Sequence, residues 1–265
     1  MAENGSAGAP IIQMREIEKH FGSVIALAGV SVDIFPGECH CLLGDNGAGK
    51  STFIKTMAGV HKPTRGEILF EGRKMAFADP RDAIAAGIAT VYQDLAMIPL
   101  MGVSRNFFMG NEPTRRVLGI PFYDRAQADR VTMEEMRKMG INLRGPDQAV
   151  GTLSGGERQT VAIARAVHFG AKVLILDEPT SALGVRQTSN VLATIDKVRK
   201  QGIAVVFITH NVRHALAVGD RFTVLNRGRT LGTAERGQIT PEALQDLMAG
   251  GQELAELEGS LGGTV

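Results

Sequence analysis

The 265-residue sequence has no tryptophan, two tyrosines and two cysteines. The cysteines, Cys39 and Cys41, stand one residue apart. A disulfide framework is therefore excluded, because so close a pair staples nothing. A zinc site would need further ligands at suitable spacing. On a strand both thiols would share one face, and they are expected as small buried core residues. Charge of one sign is also missing. Lys plus Arg is 29 and Asp plus Glu is 28, a net charge of +1. No bulk field favours nucleic acid or anionic lipid. Long apolar runs are absent too. The longest, Ile203–Ile208 and Val173–Leu176, are strand-length, far short of the ~18 residues that cross a bilayer. The opening MAENGSAGAP has neither a basic segment nor an apolar stretch, so residues 1–10 read as a flexible leader and not as a signal peptide. What remains is 44% apolar and 22% charged. That composition buries a sizeable core and excludes overall disorder.

The chain opens as strands at Ile11–Ile17, Ala28–Ile34 and Glu38–Leu43, with Pro36-Gly37 turning between the last two. A glycine-rich loop follows, then a helix over Thr52–Ala58 and a strand at Glu67–Glu71. From about Asp94 to His168 helical periodicity dominates, most clearly over Asp124–Met139, with Gly140 as its stop. Asn111–Pro121 and Gly145–Gly151 read as loops. The α/β alternation resumes with strands at Lys172–Leu176 and Ile203–Ile208 and helices at Val185–Lys200 and Asn211–Val218. Continuous apolar strands alternating with helices imply a parallel sheet covered on both faces. Arg221–Asn226 and Thr230–Thr233 suggest a closing hairpin, and residues 251–265 a flexible tail. The expected fold is α/β, with a mainly parallel sheet, an N-terminal antiparallel β part and an inserted helical subdomain at about 94–168; the glycine-rich motif at 44–52 makes its core that of a P-loop NTPase. No internal repeat is present, so 11–250 reads as a single domain.

Three motifs carry chemistry. Gly44-Asp45-Asn46-Gly47-Ala48-Gly49-Lys50-Ser51-Thr52 fits the phosphate-loop pattern between a strand and a helix. Its glycines let successive backbone N–H groups face one anion, and the helix N-terminus adds its positive end. Lys50 would reach the β- and γ-phosphates and Ser51 would bind Mg2+. Second, an apolar strand ends in Asp177-Glu178. That position is the carboxyl edge of a parallel sheet, where ligands bind. Asp177 suits Mg2+, and Glu178 suits orienting or deprotonating an attacking water. Third, Leu153-Ser154-Gly155-Gly156-Glu157 leads into a helix. Its residue types fit an anion site and a plain N-cap equally well.

The order of phosphate loop, Gln93, LSGGE, the apolar strand with Asp-Glu and His210 resembles the ATP-binding subunit of ABC transporters, from about Ile11 to Met248. The resemblance implies ATP and Mg2+ as ligands. It makes Ser154, Gly155 and Gly156 a signature motif, Phe21 the aromatic that stacks on adenine, and Gln93 a Q-loop residue touching Mg2+ and water. It makes His210 a switch histidine on the γ-phosphate. It also implies a head-to-tail pair, with each ATP held between one copy's phosphate loop and the other copy's Ser154. An integral membrane permease is the implied partner, with a solute-binding receptor indirectly and no nucleic acid. The implied place is the cytoplasmic face of a bacterial inner membrane. Gly44–Lys50, Val91–Ala96, Asn106–Gly110 and Ser181–Gly184 are similar to the single-copy subunits of simple-sugar importers for ribose, xylose or fructose. Gly184 stands where the family's common pattern has Asp, which puts communication between the two sites in doubt. An importer of another solute, an exporter and a soluble ABC ATPase are the alternatives. The soluble class places a long coiled coil before the signature, and Asp94–Gly151 shows no sustained heptads. The surface meeting the permease is expected around Leu95–Pro99 and Arg105–Phe108. There Met97, Ile98, Phe107 and Met109 read equally as exposed or as core.

Overall fold

A computed structural model describes residues 8–250. In chain order the strands are β1 (Ile12–Phe21), β2 (Val24–Ile34), β3 (Cys39–Leu43), β4 (Arg65–Phe70), β5 (Arg73–Met75), β6 (Ile88–Val91), β7 (Thr114–Val117), β8 (Ile120–Tyr123), β9 (Val173–Asp177), β10 (Ala204–Ile208), β11 (Arg221–Asn226) and β12 (Arg229–Glu235). The helices are α1 (Lys50–Met57), α2 (Pro80–Ala86), α3 (Val103–Phe108), α4 (Arg125–Lys138), α5 (Gly155–His168), α6 (Val185–Lys200), α7 (Val212–Val218) and α8 (Pro241–Met248). A six-stranded sheet runs β12-β11-β3-β10-β9-β6. Its pairs are parallel except for the β11–β12 hairpin. A second, antiparallel sheet runs β2-β1-β4-β5.

Alternation on the buried strands explains why the large sheet has two covers. Val173 and Ile175 of β9, with Val206 and Ile208 of β10, face a core shared with α1 and the antiparallel sheet. Leu174, Leu176, Val205 and Phe207 face the opposite core, under α6, α7 and α8. Cys39 and Cys41 lie buried in that second core as free thiols, as expected. Burial pushes the Cys41 thiol well up, with Cys39 adding to the effect, which keeps it protonated and inert.

A third core belongs to the insertion, where Val103, Phe107 and Phe108 of α3 meet Ala128 and Met136 of α4 and Val161 and Ala164 of α5. Phe107 is thus core and not surface, which corrects the exposed reading. Ile98 is exposed and Met97 and Met109 are half-buried. The insertion is not all helix either. The segment expected as a loop contains the β7–β8 hairpin, turning through Leu118 and Gly119, both at positive φ. Paired positive φ values match the twist of hairpin strands. The helix expected at Asp124–Met139 is α4, with the Asp124 side chain accepting from Gln127 N and Met139 at the C-cap. β5, β6, α2 and α8 were not anticipated. Both missed helices begin with an oxygen cap followed by proline, Asp79-Pro80 and Thr240-Pro241. The tail expected at 251–265, and residues 1–7 of the leader, lie outside the described residues.

Phe207 is fully buried on β10, the strand between β3 and β9. Phe207→Ala should cost about 3–5 kcal/mol. The check is a lower urea midpoint with an unchanged slope.

Candidate active site

The site is built at the carboxyl edge of the large sheet. β3 runs into the loop Gly44–Gly49, which turns into α1. Two glycines are required by geometry. Gly44 has φ +145°, and a Cβ there would meet the Leu225 carbonyl oxygen at 2.3 Å. Gly49, the N-cap of α1, has φ +102°, and a Cβ would meet the Ala26 carbonyl oxygen at 2.9 Å. No side chain caps α1, so the first backbone donors of that helix are free of side-chain competition.

The loop is braced from outside. Gly228 N donates to the Ala48 carbonyl at 2.9 Å, and Ala28 N donates to the Gly228 carbonyl at 2.8 Å. The β11–β12 turn thereby links the loop to β2. The Lys50 ammonium is buried and donates to the Gly44 carbonyl at 2.5 Å and the Asp45 carbonyl at 3.0 Å. Burial pulls its pKa down, and the charges of Glu178, Asp45 and Asp177 oppose that pull. A cleft of about 420 Å³ lies over the loop, lined by residues 45–52 together with Val24, Ile25, Ala26 and Arg227.

Asp177 ends β9, level with Ile208 of the neighbouring β10. Burial raises its carboxyl, the Glu178 charge raises it further, and Lys50 opposes the rise. Glu178 follows at φ +48°, a rare conformation for a side-chain-bearing residue. Its N–H donates to the Ile208 carbonyl at 3.1 Å. Its Oε1 lies 2.9 Å from His210 Nδ1. Two residues separated widely in sequence thus form one hydrogen-bonded pair. On the other side of β9, β6 pairs Val91 with Leu176, so Tyr92 and Gln93 leave the sheet beside Asp177 and Glu178. Burial raises the Tyr92 phenol, and the Asp177 charge adds to the shift. The Gln93 side chain is exposed.

Phe21 is 45% exposed at the end of β1, opposite Val24 of the cleft. His61 meets its ring edge-on at 5.2 Å, and Lys19 Nζ stands 5.1 Å from its centre. Ser154 is an N-cap. Its hydroxyl accepts from Glu157 N at 3.3 Å, and Glu157 Oε2 accepts from Ser154 N at 2.7 Å. This capping box realises the local reading of the motif. Gly155 and Gly156 open α5, and a Cβ on Gly156 would press on Gln187 of α6 at 3.1 Å. Ser154, Gly156 and Glu157 line a separate cleft of about 450 Å³ with Asn142, Gln187, Asn190 and Lys197. That lining shares no residue with the loop cleft. One chain therefore gathers Lys50, Ser51, Asp177, Glu178 and His210, and leaves Ser154 apart. Gly184 is the N-cap of α6, without a side-chain cap.

Sequence reasoning missed Val24, Ile25, Arg227 and Tyr92. Val24 and Ile25 are 62% and 59% exposed, which a strand pattern alone does not reveal. Mg2+ fits the donors present. Ser51, Asp177 and Gln93 offer oxygen ligands, and a cation would offset the burial and the Glu178 charge that together raise Asp177. Among the described residues no group of three His, Cys, Asp or Glu could hold a metal unaided.

A family profile described as ABC transporter matches residues 27–181. The chain belongs to the ABC transporter family. It is an ATP-binding cassette, with the ATP hydrolysis that such transporters couple to transport. It is 43% identical to a xylose/arabinose import ATP-binding protein of Sulfolobus acidocaldarius, over 90% of this chain and 93% of that one. It is 41% identical to a fructose import ATP-binding protein of Rhizobium meliloti, over 93% and 96%. A ribose import ATP-binding protein of Burkholderia pseudomallei is 40% identical over 91% of this chain and 47% of its own length. Among solved structures, an ATP-binding cassette in its ADP conformation superposes with a TM-score of 0.79 at 22% identity, covering 93% of this chain and 97% of that one. A nucleotide-free cassette gives 0.78 at 23% identity, covering 91% and 95%. The α/β P-loop fold is thereby shown.

The cassette's loop glycines should not be equivalent. A Cβ on Gly44 collides with backbone, whereas one on Gly47 meets nothing within 4 Å. Both glycines carry positive φ, +145° and +83°, so the difference rests on the collision, and Gly44→Ala should weaken ATP binding about tenfold more than Gly47→Ala does. Calorimetric titration with ATP compares the two variants directly.

Proposed function

We propose that this cassette is the ATP-hydrolysing subunit of an importer for a monosaccharide, acting on an integral membrane permease. The sugar assignment is supported by relatives named for xylose/arabinose, fructose and ribose import, two of which match over nearly their full length. The hydrolytic assignment is carried by one observation, the 2.9 Å contact between Glu178 and His210 at the sheet edge that also holds Lys50 and Asp177.

The residue roles follow from chemistry. Loop N–H groups and Lys50 bind the phosphates, and Phe21 offers its face to adenine. Mg2+, held by Ser51, Asp177 and Gln93, would neutralise phosphate charge. Glu178 takes the proton of the attacking water as its oxygen bonds to the γ-phosphorus and the bond to ADP breaks. His210 orients that carboxylate and donates toward the γ-phosphoryl oxygens. Stabilising the transferring phosphoryl group needs donors on every side. Ser154, Gly155 and Gly156 lie outside the loop cleft of their own chain, so a second copy supplies them head-to-tail. ATP then clamps the pair, and hydrolysis releases it.

Among the described residues no helix is long and apolar enough to cross a membrane. We infer attachment through the permease on the cytoplasmic face from the import ATP-binding relatives. A cleft of about 420 Å³ on the insertion, lined by Ile98, Met101, Arg105, Phe108 and Tyr123, supports this as the docking face. Residues 11–250 act as one ATPase domain, the insertion moving with closure.

Glu178→Gln should retain ATP binding, slow turnover by about 100-fold or more, and trap the dimer. Near-normal phosphate release would overturn the base assignment. Lys50→Ala should abolish tight ATP binding, because the phosphates lose their buried point charge, and calorimetry reads that loss. Co-purification from gently solubilised membranes should bring down a multispanning permease. Recovery of folded, ATP-binding protein with no membrane partner would favour a soluble role.

A further inference from the structure

The pair Glu178–His210 joins two loops, β9–α6 and β10–α7. That contact is a weak anchor by itself. The His210 side chain is 62% exposed and that of Glu178 16%, so solvent competes for the contact from the His210 side. Glu178 also sits at positive φ, a conformation that persists only when its surroundings impose it. The strand pairing and the Glu178 N–H bond to the Ile208 carbonyl hold the strand ends in register, and the loops beyond them need a further tie.

A second cross-link runs beneath the first. Thr180, 4% exposed, places its Oγ1 3.0 Å from His214 Nδ1. His214 lies in the first turn of α7, where its N–H donates to Asn211 Oδ1 at 3.1 Å. Asn211 N donates in turn to the Oγ1 of buried Thr209 at 3.1 Å. The relay Thr180–His214–Asn211–Thr209 therefore ties the turn after Glu178 to both flanks of His210. On the Glu178 side, Ser181 N donates to the Glu178 carbonyl at 3.1 Å and closes the turn. Further along the same loop, Gly184 gives α6 no side-chain cap. Burial, followed by the His210 charge, pulls the His214 pKa down, which favours a neutral ring with one donor and one acceptor. Such a ring matches a hydroxyl partner.

We propose that His214 is a positioning residue for hydrolysis, holding Glu178 and His210 in register through its hydrogen bond to Thr180. It touches neither nucleotide nor water. The inference rests on the assignment of Glu178 and His210 to hydrolysis given above.

The test uses the full-length protein, with kcat and KM for MgATP measured for four variants. His214→Ala should lower kcat about tenfold with KM within about twofold, since the interaction acts on the chemical step and not on ATP binding. His214→Gln, whose amide also donates and accepts, should recover most of the loss. Thr180→Val should reproduce the His214→Ala defect. The double variant should be no slower than either single, because both remove one interaction. Unchanged kcat in His214→Ala and Thr180→Val would overturn the proposal. So would additive losses, or a loss that tracks melting temperature and is not rescued by Gln. Glu178→Gln run in parallel separates the two ideas. If it abolishes turnover while His214→Ala does not slow it, only the positioning role falls. If Glu178→Gln turns over normally, the underlying assignment falls.

Discussion

The site depends on the two-sided burial of three adjacent parallel strands. β3, β10 and β9 lie side by side, and both faces of each are covered by core. Parallel pairing sends every strand's carboxyl end to the same edge. The phosphate loop, the Asp177-Glu178 pair and His210 come from three distant parts of the chain. They converge because their strands are neighbours. No side-chain contact within the site could bring them together without that register.

Much of this was legible before the fold was known, for physical reasons. A fully buried strand reads as a continuous apolar run, so Val173–Leu176 and Ile203–Ile208 stood out. α6 falls at Val185–Lys200 in both readings, because its apolar positions repeat at helical spacing. The phosphate loop was readable because the requirement for glycine at Gly44 and Gly49 is imposed by backbone collision. The losses are equally physical. The β7–β8 hairpin has eight strand residues, seven of them exposed, so no alternation of burial marks it. α2 and α8 are no shorter than α7 and α1, which were legible; their starts, Asp79-Pro80 and Thr240-Pro241, are cap-and-proline signals that a search for apolar periodicity alone passes over. The loop brace through Gly228 is a backbone contact between distant segments, which no local pattern encodes.

Ser154 illustrates how one residue type serves two levels. Its hydroxyl and backbone N–H satisfy the start of α5 through Glu157. The same cap presents the N-terminus of a 14-residue helix at a cleft separate from the loop of its own chain. Local helix chemistry thereby fixes the direction of a dipole whose proposed ligand belongs to another molecule. Gly184 differs, opening the next helix with no side-chain cap and only its carbonyl accepting from Thr188 N.

The bracing of the phosphate loop also sets a timetable. β3 has β10 and β11 as its neighbours, and the turn that supports Ala48 lies at Gly228. During synthesis, at about 5–20 residues per second, the strand that feeds the loop stays without partners until β10 and β11, Ala204–Ile208 and Arg221–Asn226, have been made. Pairings this remote in sequence form slowly, because loop closure must come first. The glycine loop therefore leaves the ribosome well before the strands and the turn that support it, and its mature shape waits on Gly228.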